Sequence, residues 1–137
     1  MNEEQEARIE ELLDAARAVR ERAYAPYSHF LVGAALLADG LVFAAPNIEN
    51  ASYPLSVCAE RNAVAAAVAA GHRQIEAVAV VGSGEKPTPP CGGCRQVLYE
   101  FGGPGMTVIA ASPGGERLMW ALEDLLPAAF GPHDLTR

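Results

Sequence analysis

Three cysteines, Cys58, Cys91 and Cys94, are the residues in this chain whose types and spacing restrict chemistry most. They fall in two short pieces, Cys58-Ala59-Glu60 and Pro90-Cys91-Gly92-Gly93-Cys94, each at the start of a predicted helix. Three thiolates suit a tetrahedral ion, zinc before others, with one position open for water or substrate. A closed structural site needs a fourth protein ligand, and the chain has no fourth cysteine. Glu60, two residues from the first cysteine, is near enough to handle protons on such a water. Taken singly the parts are less telling. A Cys-x-x-Cys pair also serves redox chemistry or half of a structural zinc site. A lone cysteine on an apolar helix is usually core, and a first-turn glutamate is favoured by the helix dipole alone. The two pieces together, joined by a helix and then a strand, favour catalytic zinc.

The elements that must position these pieces are legible from periodicity. Residues 3–22 carry Ile9, Leu12, Leu13, Ala16 and Val19 at helical spacing, acids early and arginines late. Pro26 ends that segment, and residues 25–30 turn. Residues 31–37 read as a buried strand, Asp39-Gly40 as a hairpin turn and 41–45 as its partner, which Pro46 stops. An irregular loop, 47–57, leads to an alanine-rich helix over 58–70 closed by Gly71. The aliphatic run 74–81 fits a central strand covered on both faces. A loop dense in glycine and proline, 82–90, precedes a short helix that starts at Cys91 and fades at Gly102-Gly103. A strand over 106–111, a turn at Gly114-Gly115, an edge strand over 117–120 and a short helix over 121–126 complete the order. It predicts an α/β fold, a mixed sheet between helical layers, as a single domain over 1–137.

Composition excludes several classes. The chain has 137 residues, half of them hydrophobic, and no apolar run of membrane-spanning length. A net charge of −7 with ten thinly spread basic residues argues against nucleic acid, which needs clustered Lys and Arg. The acidic amino terminus has the wrong sign for a secretory signal. An odd number of cysteines does not make a disulfide scaffold, so a reducing cytoplasm is the expected location. His29, His72 and His133 lack metal-ligand spacing to one another and read as surface residues.

The joined motifs, Cys-Ala-Glu and Pro-Cys-x-x-Cys, have cysteine where the general zinc-deaminase pattern H-x-E…P-C-x-x-C has histidine. In this they resemble the cytidine deaminase family, specifically its small three-cysteine type. Two further stretches extend the resemblance, which runs from about Tyr24 to Leu135. Pro26-Tyr27-Ser28-His29-Phe30 matches the family's Pro-Tyr-Ser-x-Phe, and Asn47-Ile48-Glu49-Asn50-Ala51-Ser52-Tyr53 matches its Asn-x-Glu-Asn-Ala-Ser-Tyr. Departures are small: Ala45-Pro46 stands where Gly-Cys is usual, and Gly93 where alanine is common.

The resemblance implies a three-layer α/β/α sandwich with a mixed five-stranded sheet, the two cysteine-bearing helices side by side on one face. It implies one zinc per subunit on Cys58, Cys91 and Cys94, with Glu60 shuttling protons and Arg61 donating hydrogen bonds that offset the thiolate charge. Asn47 and Glu49 would hold ribose hydroxyls, Phe30 would stack on the pyrimidine, and Ala59 would line the substrate site. Phe130 would reach a neighbouring subunit's site, and Ala51 and Tyr53 the ribose end of one, in a homotetramer. The implied reaction is hydrolytic deamination of cytidine and 2′-deoxycytidine. Two rivals remain beside it. A deaminase for a modified cytosine nucleoside such as blasticidin S would lack the full Asn-x-Glu-Asn stretch. A non-enzymatic zinc module would need a fourth ligand and leave Glu60 idle.

Overall fold

The first helix, α1 (Glu3–Arg20), begins where Asn2 and Gln5 cap one another's backbone N–H groups. Glu3, Glu4 and Glu6 in its first turn and Arg17 and Arg20 in its last suit the helix dipole. Its buried stripe is Ile9, Leu12, Leu13 and Ala16, as the spacing predicts. The helix stops two residues before the expected boundary and well before Pro26. The cause is tertiary: the Tyr24 N–H donates to the Asn47 carbonyl and the Glu49 N–H to the Tyr24 carbonyl, which draws this segment into extended pairing. The structure, a computed structural model, describes residues 1–135.

Strands β1 (Gly33–Ala38) and β2 (Leu41–Pro46) form the hairpin. Asp39 and Gly40 both take positive φ, 52° and 78°, as a tight two-residue hairpin turn requires. Pro46 does not stop β2 but is its last residue, opposite Gly33. The missing N–H is tolerated because β2 lies at the sheet edge. Helix α2 (Ala59–Ala69), strand β3 (Ile75–Val81), helix α3 (Gly92–Gly102), strands β4 (Thr107–Ala111) and β5 (Arg117–Ala121) and helix α4 (Leu122–Leu125) follow. The strand order is β2-β1-β3-β4-β5, with β3 and β4 parallel and the other pairs antiparallel. This is the expected mixed five-stranded sheet.

Both faces of the sheet are covered. On one, Ala35, Leu37, Ala79, Val81, Ile109 and Ala111 pack against the stripe of α1. On the other, Leu36, Val78, Val80 and Val108 pack against Ala63, Val64 and Ala67 of α2 and Leu98 of α3. Two-sided burial is why β1 and β3 are continuous aliphatic runs and not alternating ones. Gly33 allows α1 to lie close on β1, since a Cβ there would stand 1.9 Å from the Ala16 carbonyl oxygen. His72 departs from the expected surface role. Its Nδ1 lies 2.8 Å from Asp39 Oδ2 and its ring 5.5 Å from that of Phe43, so it is only partly exposed and ties the end of α2 to the β1–β2 turn.

Candidate metal centre and active site

Cys58 and Cys91 are the residues immediately before α2 and α3, with extended backbone, and each takes the N-cap position. The expectation that the helices start on these cysteines is therefore off by one residue. The shift puts both side chains beside the free N–H groups of the first turn, although neither sulfur makes a cap hydrogen bond. Cys94 sits one turn into α3 and is fully buried. Because α2 and α3 pack side by side, the three sulfurs converge, all within 4.8 Å of one another. Cys91 and Cys94 Sγ are 3.5 Å apart. A tetrahedral ion about 2.3 Å from each sulfur sets them roughly 3.8 Å apart, so the trio fits zinc with little adjustment. Among the described residues no fourth ligand joins the group.

The electrostatics follow from this crowding. The Cys94 thiol donates toward Cys58, and with help from Cys91 and the Arg61 charge this lowers the Cys58 pKa to about 6. The same hydrogen bond, with burial and the Glu60 charge, pushes Cys94 up. Coordination reverses that holding effect, since a bound cation draws the proton from a thiol. Arg61 is exposed and, among the described residues, forms none of the expected hydrogen bonds to the thiolates. It acts on Cys58 through its charge.

Glu60 is 4% exposed, and burial raises its carboxyl to about 7, with the Cys58 charge adding to the rise. It opens on a cleft of about 350 Å³ whose lining includes Cys58, Cys91, Ala59, Phe30, Asn47 and Glu49. The cleft lies beyond the carboxyl end of β3, where open α/β sheets bind ligands. Six of the expected site residues thus share one cleft with Glu60. Ala51, Tyr53 and Phe130 are not in it; all three are exposed, Tyr53 at 69% and Phe130 at 59%. A groove of similar size, about 360 Å³, runs between α1 and the far sheet face and holds no comparable cluster.

Sequence reasoning missed Ser28, Val32, Val80, Thr88 and Pro89, which also line the cleft. Ser28 and Thr88 had a legible signal, as hydroxyls in loops next to motif residues. Val32 and Val80 did not, because a valine at a strand end reads as core. Asn47 and Glu49 prove to be held by the segment before β1, Asn47 by backbone groups and Glu49 by backbone N–H groups and the Ser28 hydroxyl. Asn47 Oδ1 accepts from the Val32 N–H and its Nδ2 donates to the Phe30 carbonyl, at 2.8 and 3.0 Å. Glu49 accepts from the Ser28 hydroxyl and the Ser28 and Tyr27 N–H groups, which hold its pKa below the usual carboxylate value.

A mixed sheet covered on both faces, carrying three thiolates at two adjacent helix starts beside a buried carboxyl, defines a zinc enzyme with an open metal position. The chain belongs to the cytidine and deoxycytidylate deaminase family: residues 6–111 match its zinc-binding region. The chain is 45% identical over 129 residues to a cytidine deaminase of Sporosarcina psychrophila, covering 93% of this chain and 95% of that one. It is 46% identical over 125 residues to that of Halalkalibacterium halodurans, covering 90% and 95%. Among solved structures, the cytidine deaminase of Burkholderia pseudomallei superposes with a TM-score of 0.85 at 51% identity, covering 88% of this chain and 98% of that one. That of Mycobacterium tuberculosis gives 0.78 at 41% identity, covering 89% and 96%.

Proposed function

We propose that this chain is a cytidine deaminase, a zinc-dependent hydrolase that converts cytidine and 2′-deoxycytidine with water into uridine and 2′-deoxyuridine plus ammonia. The observation that carries the reading is the shared cleft, in which Cys58, Cys91 and Glu60 face Phe30, Asn47 and Glu49. Zinc, one ion per chain, supplies a water of lowered pKa at neutral pH when bound by Cys58, Cys91 and Cys94. Glu60, with its pKa near neutrality, can take a proton from water and return it to N3 of the pyrimidine and then to the leaving amine. Asn47 and Glu49 hold the ribose, Ala59 lines the base pocket and Phe30 stacks on the ring. The test is direct: purified protein should release one ammonia per cytidine with loss of cytidine absorbance. No ammonia from either nucleoside would overturn the reading.

Three thiolates on one divalent ion would leave a net negative charge, which would hold the proton on a water bound there. The starts of α2 and α3 and the Arg61 guanidinium offset it. Replacing Arg61 by alanine should therefore move the rising limb of the pH–activity profile upward and weaken zinc retention. An unchanged profile together with unchanged zinc content would leave the helix ends as sufficient compensation.

The single sheet and its two covering layers support the reading of one domain over 1–137, of which residues 136 and 137 lie outside the described residues. Exposed Tyr53, Leu55 and Phe130 support a homotetramer in which Ala51, Tyr53 and Phe130 complete neighbouring sites. Sedimentation at four times the chain mass is expected, and full activity from a monomer would refute sharing. No helix among the described residues is long and apolar enough to cross a membrane. Three metal-binding thiols fit the cytoplasm, and the negative net charge fits a nucleoside better than nucleic acid.

A further inference from the structure

The groups that face the sugar and the base are tied together by one hydroxyl. Ser28 Oγ donates to Glu49 Oε2 at 2.5 Å and accepts the Phe30 N–H at 3.0 Å. The second carboxylate oxygen of Glu49 accepts the N–H groups of Tyr27 and Ser28, at 3.0 and 3.1 Å. A carboxylate has roughly four lone-pair directions, so three donors leave Glu49 one for a ligand, on the oxygen that Ser28 orients. The Ser28–Phe30 hydrogen bond spans His29, whose φ of 59° is a left-handed conformation that a residue with a side chain seldom adopts. Ser28 thus closes a turn that the backbone alone would not favour.

The ring of Phe30 is fixed from behind. A Cβ on Gly82 would come within 3.2 Å of its Cζ and 2.8 Å of Thr88 Oγ1, so the ring lies against bare backbone at the end of β3. Ser83 Oγ donates to the Leu31 carbonyl and accepts the Leu31 N–H, at 2.7 and 3.0 Å, which holds the chain just past Phe30. Asn47 Nδ2 also donates to the Phe30 carbonyl, and Ser28 is the side chain that joins Phe30 directly to the Glu49 carboxylate.

We propose that Ser28 is a positioning residue for nucleoside binding, whose hydroxyl locks the Glu49 carboxylate to the backbone of Phe30 so that the sugar and base contacts are held in one fixed geometry. This rests on the reading of the cleft as a nucleoside site. Ser28 is itself exposed, and its loss removes a hydroxyl without opening a cavity in either core. A merely structural part would show in thermal stability, whereas a positioning part shows in affinity.

The test compares Ser28→Ala and Ser28→Thr in the zinc-loaded protein, each in the wild-type and the Glu49→Ala background. Uridine affinity is measured by calorimetry beside cytidine turnover. Losing one hydrogen bond to a charged group is expected to weaken uridine binding and raise KM for cytidine about tenfold in Ser28→Ala, with kcat within about threefold. Ser28→Thr, which keeps the hydroxyl, should stay within about threefold of wild type. In the Glu49→Ala background the Ser28→Ala change should add little, because the coupled partner is gone. Unchanged affinity with a lowered melting temperature, or equal tenfold losses in both backgrounds, overturns the proposal. Uridine binding reads Ser28 whether or not cytidine is turned over. Absent ammonia release with intact, Ser28-dependent uridine binding therefore overturns only the proposed reaction.

Discussion

Glu60→Gln is expected to lower turnover by about two to four orders of magnitude while leaving fold and zinc content intact. Glutamine matches the shape of the buried carboxyl but cannot accept and return a proton. Zinc stays because Glu60 is not part of the three-sulfur group. The side chain is 4% exposed with a carboxyl near 7, so at neutral pH it populates both the form that accepts a proton and the form that donates one. A second readout comes from the metal-stripped protein. Because burial raises the folded-state pKa from 4.5 to about 7, the fold prefers the protonated acid. The unfolded chain gives up that proton first, so the contribution of Glu60 to stability falls as pH rises from about 4.5 through 7 and levels off above. At about 1.4 kcal/mol per unit, the cost at pH 8 is roughly 3 kcal/mol. Metal-free Glu60→Gln should therefore melt higher than metal-free wild type at pH 8, the gap closing toward pH 4.5. Near-normal turnover in the variant would refute the proton-shuttle role.

Cys94→Ala is expected to abolish activity and reduce bound zinc from one per chain to a small fraction of that. Cys94 is the fully buried member of the trio and stands between Cys58 and Cys91 in the hydrogen-bonded sulfur cluster. Two sulfurs on opposite helices cannot close a three-thiolate site, and metal binding that depends on the folded arrangement is lost with it. Wild type treated with a chelator should lose activity in parallel with zinc and also melt lower, since a ligand bound only by the native state stabilises it in proportion to RT ln(1 + [L]/Kd). Elemental analysis beside the melting curve checks both. An active Cys94→Ala protein, or active wild type with far less than one zinc per chain, would show that the cysteines do not hold the working metal.

How much of this could be read from the chain itself depended on the range of the interactions. The Cys-Ala-Glu and Pro-Cys-x-x-Cys pieces are local patterns, and so are the caps and periodicities that put them at helix starts. The stripe of α1, the Asp39-Gly40 turn and the two-sided aliphatic runs of β1 and β3 are equally local, because each follows from spacing along a single element. From these the candidate metal ligands, the glutamate beside them and the layered sheet could be read, whereas the burial of Glu60 came with the packing of α2 on the sheet. Tertiary structure decided what spacing cannot encode. Helix α1 ends at Arg20 because Tyr24 pairs with residues 47–49, and Pro46 stays in β2 because that strand is at the edge. His72 finds Asp39 across 33 positions. The exposure of Arg61, the backbone grip on Asn47 and Glu49, and the hydroxyl of Ser28 between Glu49 and Phe30 all depend on segments remote in sequence. The partners of Asn47 and Glu49, residues 27–32, come within hydrogen-bonding distance because the β1–β2 hairpin brings its two flanking segments together.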